Sequence, residues 1–254
     1  MVLHVINESR SRVAERVAAM LKSSKSKPGR RVFGSAGAMA TRYLHDPQLS
    51  RGVDRSYVEE WYAAQTTTGE ILSKWVWSRD DAVLVESVKF SKGREVRVSP
   101  SSEFHGIDPH YGVDHVLIVG NAVFFIDSRG WEFKKTHTVS DGRIMVGGEE
   151  QEEEPVPHVV ENADRFIDMV PEGTLTKVVV HTTSGKYKTK RDPEWYRAPF
   201  SLSDHEHFIG YITRLTDNQL PNDAKGFIDA GLVSIFAARA TKGMDKFSAF
   251  GMTL

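Results

Sequence analysis

The stretch Val113-Asp114-His115-Val116-Leu117-Ile118-Val119-Gly120-Asn121-Ala122-Val123-Phe124-Phe125-Ile126-Asp127-Ser128-Arg129-Gly130-Trp131 decides the fold. Two runs of β-branched and aromatic residues meet at Gly120-Asn121, a dipeptide suited to a tight hairpin turn. Asp114 opens the first run and Asp127 closes the second. In an antiparallel pair the start of one strand lies beside the end of the next, so this spacing brings the two carboxylates together. Adjacent carboxylates can seat a divalent cation, and Arg129, two residues beyond Asp127, shares its face.

Upstream of the hairpin, residues 57–77 carry a helical pattern, with Ile71, Leu72, Trp75 and Val76 spaced as one buried face. Within it, Thr67-Thr68-Gly69-Glu70 has the spacing of a capping box, which gives Glu70 a structural role as the partner of Thr67. Ala82 to Val88 reads as a strand and residues 91–112 as a long loop. Downstream, Lys134 to Val146 reads as a strand pair turned at Asp141-Gly142. His158 to Val170 is amphipathic, with Val159, Ala163, Phe166, Ile167 and Val170 on one side. Leu175 to Thr182 is β-rich. Ser203 to Leu215 reads as a helix with a second capping-box spacing, Ser203 to Glu206. The order from residue 57 is helix, three strands, hairpin extension, helix, strand, helix. The fold class is therefore α/β, a central mixed sheet flanked by helices. Residues 1–56, with one helical pattern, form an N-terminal extension to a domain spanning 57–218, and residues 219–254 form a C-terminal one.

The chain has 254 residues, 40% of them hydrophobic, enough for one substantial core. Its 33 basic and 34 acidic residues leave a net charge of −1, so any contact with DNA or RNA must come from local patches rather than a general basic field. The absence of cysteine excludes a disulfide scaffold and cysteine-ligated zinc. No apolar run reaches the ~20 residues of a membrane span, so the expectation is a soluble, cytoplasmic protein without a membrane partner.

Residues 67–215 resemble the NERD (nuclease-related) domain, a branch of the PD-(D/E)xK nuclease-like superfamily. The resemblance is carried by Gly69-Glu70 on the first helix, Asp114-His115 followed by an apolar strand, and Asp127-Ser128-Arg129-Gly130-Trp131. Asp141-Gly142-Arg143 resembles the family's hairpin, and the helix at His158 and strand at Leu175 fall in the family's order. The resemblance implies a restriction-endonuclease-like fold and a catalytic set of Asp114, Asp127, Arg129 and Glu70. It also implies Mg²⁺ on Asp114 and Asp127, with Glu70 adding a ligand or orienting a water. Phosphodiester hydrolysis needs an activated water and neutralisation of the charge growing on the phosphate, which such a centre supplies. Arg129 stands where the family carries lysine. Its guanidinium can stabilise phosphate charge but cannot act as a base.

Two functions follow. One is a metal-dependent nuclease, weakened or silenced by Arg129. The other is a non-catalytic protein on the same scaffold, such as a phage head–tail connector component located in the virion, binding other chains through its terminal extensions. In the second case no cofactor is needed, and the guanidinium of Arg129 replaces the metal between the two aspartates. Other candidates are weaker. Gly34-Ser35-Ala36-Gly37 lacks the Lys-Ser/Thr of a phosphate loop. His205 and His207, two apart, face different directions on a helix. Lys186, Lys188, Lys190 and Arg191 read as a solvated hairpin ahead of a nucleic-acid patch. His115 and Trp131 read as structural.

Overall fold

The computed structural model describes residues 31–45, 54–89, 112–130, 137–140, 143–146, 149–150, 163, 166–183, 200–219 and 228–241. Trp131 and the basic run at 186–191 lie outside them, as does most of both terminal extensions. Six strands form one sheet: β1 (Val32–Phe33), β2 (Ala82–Lys89), β3 (Gly112–Val119), β4 (Ala122–Arg129), β8 (Leu175–Thr182) and β9 (Ser201–Asp204), in that spatial order. Only β3 runs against the rest, since β1–β2, β4–β8 and β8–β9 are parallel and both pairings of β3 are antiparallel. A second, three-stranded sheet comprises β5 (His137–Ser140), β6 (Arg143–Val146) and β7 (Glu149–Glu150). Its first two strands pair as far as Ser140 and Arg143; the expected turn at Asp141-Gly142 lies outside the described residues.

The β3–β4 hairpin forms as its sequence dictates. Val119 pairs with Ala122 across Gly120-Asn121, and Gly120 has φ +58°. A positive φ at the first central position alone is what a type II′ turn demands, and glycine meets it without a Cβ penalty. Both strands are buried along almost their whole length, so they read as continuous apolar runs rather than alternating ones.

Helices cover both faces. The long helix α2 (Arg55–Trp77) and α3 (Phe208–Gln219) enclose a core of Leu72, Val76, Leu84, Leu117, Phe124 and Ile212. On the other face α4 (Ala230–Ala237) and the segment around Phe166 pack onto Val85, Val116, Phe125 and Val180. The rings of Phe125, Phe166 and Phe236 meet at 5.7 to 6.0 Å. Ile167, expected on the buried side with Phe166, is exposed. A short helix α1 (Ala38–His45) leans on α2 through Ala40 and Val58.

Two local expectations are corrected. The helix at Thr67 does not start there: α2 is continuous from Arg55, and Asp54 is its N-cap, accepting from Ser56 N. The hydroxyl of Thr68 instead donates back to Ala64 O, a mid-helix use of the side chain. At the start of α3, Asp204 rather than a Ser203–Glu206 box receives His207 N, at 2.9 Å. Asp54 caps α2, while Asp204 closes the turn that leads into α3.

Residues read as extensions also build the core. Val32 and Phe33 pair with Leu84 and Val85, and Ala240 forms a bridge with Val88. Phe236 is fully buried between the Phe125 and Phe166 rings. Phe236→Ala is therefore expected to destabilise the protein by about 3–5 kcal/mol, as for a large core ring. Chemical denaturation followed by far-UV circular dichroism checks it; a change below about 1 kcal/mol, the scale of a surface substitution, would place α4 outside the cooperative unit.

Candidate functional site

The site forms where strand alternation breaks. One core cluster holds both Val85 and Val88 of β2, and both Val113 and Val116 of β3, although residues an odd number apart should face opposite ways. The Glu86–His115 and Val88–Val113 pairs keep one register, so neither strand gains a residue; the two change face together. Ser87 marks the switch, with φ +51° in the left-handed region. Its hydroxyl donates to Ser35 O and its carbonyl accepts from Thr241 N, which hold the strained backbone in place. Glu86, Ser87, Asp114 and His115, the four residues at the switch, are all polar and all buried.

Asp114 is 4% exposed and surrounded by donors. Its Oδ2 accepts from Ser128 N at 2.8 Å, just past the last β3–β4 ladder pair at His115–Ile126. The carboxylate thus takes a strand N–H that the ladder leaves over. Its Oδ1 accepts from Gln65 Nε2 and from Trp61 Nε1 at 3.3 Å, both on α2. Burial and the Asp127 charge push the Asp114 pKa up; the Ser128 N–H, Arg129 and Gln65 pull it back less strongly. Two buried carboxylates side by side resist double ionisation.

Asp127 is 8% exposed, and Arg129 Nε lies 2.6 Å from its Oδ2. Arg129 Nη1 also donates to Tyr57 Oη at 3.4 Å, so the guanidinium reaches from the end of β4 to the start of α2. The sheet thus brings three of the four expected residues together. It does not bring Glu70, which lies exposed on α2. Gln65, five positions earlier and about 140° around the helix, is the α2 residue that meets Asp114.

The arrangement does not fit Mg²⁺ on Asp114 and Asp127. Magnesium takes near-octahedral oxygen ligands and several waters. Here Asp114 already holds three donors and Asp127 holds a cation. No group of three His, Asp or Glu side chains suited to a metal occurs among the described residues. The Arg129 guanidinium pairs with Asp127 and lies near enough to Asp114 to pull its pKa down.

A row of buried polar groups extends from this centre across the sheet. Glu86 pairs with His115, Ser128 with His181, and His181 with Ser203. His115 Nε2 and Ser128 Oγ, 3.1 Å apart, link the two halves. Burial holds both histidines neutral, with pKa values pushed down to about 3. Glu86 goes the other way: burial raises it to about 7 against the pull of the Ala36 N–H. That contact puts a carboxyl group of the chain itself on the Gly34–Gly37 loop that superficially resembles a phosphate cradle. Gly69 allows this, because a Cβ there would lie 2.5 Å from Glu86 Oε1 and from Ala36 Cβ. Sequence patterning misses Gln65 and Glu86: one lies mid-helix, the other in an apolar strand, and neither sits in a motif.

No protein-family model matches the chain, and no curated protein or solved structure matches it.

Glu86 predicts a pH dependence. Its folded pKa of about 7 exceeds the ordinary 4.5, so the folded chain holds the proton more tightly than the unfolded one. Its contribution is complete below pH 4.5 and is lost as the pH rises through 7. Glu86→Gln keeps the acceptor for Ala36 N and removes the titration. Relative to wild type it is expected to gain up to about 3 kcal/mol at pH 8 and nothing at pH 4. Urea midpoints across that range check it; parallel curves for the two proteins would contradict it.

Proposed function

We propose that this chain is a NERD-like, nuclease-fold protein whose acid pair no longer hydrolyses phosphodiesters, and that it serves as a non-catalytic scaffold. The order of helix, three antiparallel strands and a parallel fourth strand supports the nuclease-like reading, as does the meeting of Asp114 with Asp127. The observation that carries the loss of hydrolysis is the 2.6 Å approach of Arg129 Nε to Asp127 Oδ2. A hydrolytic centre of this type needs open carboxylate oxygens for a metal that acidifies water. In this site one carboxylate is tied to a permanent cation and the other to three hydrogen-bond donors. Arginine cannot leave by deprotonation, since its pKa is above ~12.

The virion head–tail connector reading rests on the terminal extensions, most of which lie outside the described residues, and no described surface favours it. No helix among the described residues is long and apolar enough to cross a membrane.

Calorimetric titration with Mn²⁺, paired with cleavage assays on plasmid DNA and single-stranded RNA, tests the proposal. Wild type is expected neither to bind Mn²⁺ at millimolar concentration nor to cleave either substrate. Arg129→Ala, which removes the cation from Asp127, is expected to bind Mn²⁺ at millimolar concentration, where wild type does not. Metal-dependent cleavage by wild type that disappears in Asp127→Ala would overturn the reading.

A further inference from the structure

His181 lies outside the acid pair, fully buried, on β8, the fifth strand of the sheet. Its Nδ1 is 2.8 Å from Thr68 Oγ1, and that hydroxyl is also 2.9 Å from Ala64 O. A hydroxyl has one proton to give. With that proton on Ala64 O, the ring Nδ1–H donates into Thr68 Oγ1, and both contacts are satisfied. The other ring nitrogen, Nε2, is buried with no hydrogen-bond partner among the described residues. A second proton would therefore create a buried charge whose new N–H has no acceptor.

The groups around the ring offer no counter-charge. Phe208 of α3 stacks on it at 4.0 Å and His205 of the β9–α3 turn at 5.8 Å. Ser128 and Ser203 flank it on the neighbouring strands. His205 and His115 both act against its protonation. The nearest carboxylate along β9, Asp204, is engaged with the ring and backbone of His207. Glu86, at the far end of the polar row, takes up its own proton as the pH falls below about 7.

α2 is held to the sheet in two different ways. Its last turns bury Leu72, Trp75 and Val76 in the apolar cluster with Phe208 and Ile212. Its middle is held by polar contacts, Gln65 to Asp114 and Thr68 to His181, with the bare Gly69 against Glu86. We propose that His181 is an acid-sensitive latch: the neutral ring ties the middle of α2 to the sheet, and the imidazolium releases it while the apolar end stays seated. The depressed pKa of the ring, about 3 against an ordinary 6.5, agrees with this geometry.

Hydrogen exchange of full-length wild type and His181→Phe at pH 5 and pH 8, corrected for intrinsic rates, tests the latch. Phenylalanine keeps the stack on Phe208 and leaves the Thr68 hydroxyl on Ala64 O. On going to pH 5 the opening constant of amides 61–69 is expected to rise about thirtyfold more in wild type than in the variant, the linkage of one ring moved from 6.5 to well below 5. Equal pH responses in the two proteins would overturn the proposal, as would wild-type acceleration that spares α2. Should the variant fail to fold, the wild-type ring is read directly by NMR titration. A His181 ring that stays neutral to pH 4 supports the latch, and one that titrates near 6.5 in the folded protein refutes it.

Discussion

Asp114 is the constraint on which the site depends. One carboxylate takes the N–H of Ser128 on β4 and side-chain donors from Trp61 and Gln65 on α2. Strand, neighbouring strand and helix are thereby tied at one point. The tie exists because β2 and β3 change face together around Ser87, which turns residues that strict alternation would separate toward the same helix. Glu86, His115, Ser128 and His181 face α2 by ordinary alternation from Leu84, Leu117, Ile126 and Val179; the switch adds Asp114 to them. A left-handed serine costs roughly 1–3 kcal/mol of backbone strain, which hydrogen bonds to Ser35 and Thr241 must offset.

Much of this fold is legible in the amino-acid sequence, for physical reasons that can be named. Gly120-Asn121 between two apolar runs admits little but a tight hairpin, and that hairpin fixes Asp114 beside Asp127. Leu175–Thr182 reads correctly because its β-branched run is bounded by turn residues. The capping boxes fail because a hydroxyl three residues before a glutamate says nothing about where a helix begins. Asp54, thirteen positions before Thr67, decides that. Glu70 fails as a site residue for a related reason: motif spacing locates it on α2 but not on the face of α2. Only the packed structure shows that Gln65, Thr68 and Gly69 face the sheet while Glu70 does not.

The polar row sets a harder energetic problem than the acid pair. Buried imidazoles and hydroxyls stabilise a fold only when their hydrogen bonds are complete, and an unmet one costs roughly 1–3 kcal/mol. Among the described residues, His181 leaves one ring nitrogen without a hydrogen-bond partner, whereas His115 is also drawn to the Gln65 backbone. The apolar clusters on both faces of the sheet carry this deficit, and one of them runs past the row, with Val85 and Val116 on one side of it and Val88 and Val113 on the other. The described core is thus divided: an apolar part that holds the fold, and a polar band whose protonation state matters to it.

Electrostatics hold the Asp127–Arg129 pair in place beside Asp114. Removing one partner from a buried ion pair typically costs 3–5 kcal/mol, because the other charge is left in low dielectric. Asp127 without Arg129 would sit beside Asp114 without the guanidinium that now pairs with it, two carboxyls competing for one proton. Replacing arginine by lysine would restore charge but not the planar fork that spans from Asp127 to Tyr57. Each single step away from the present arrangement is therefore uphill, and the acid pair is held by its own electrostatics.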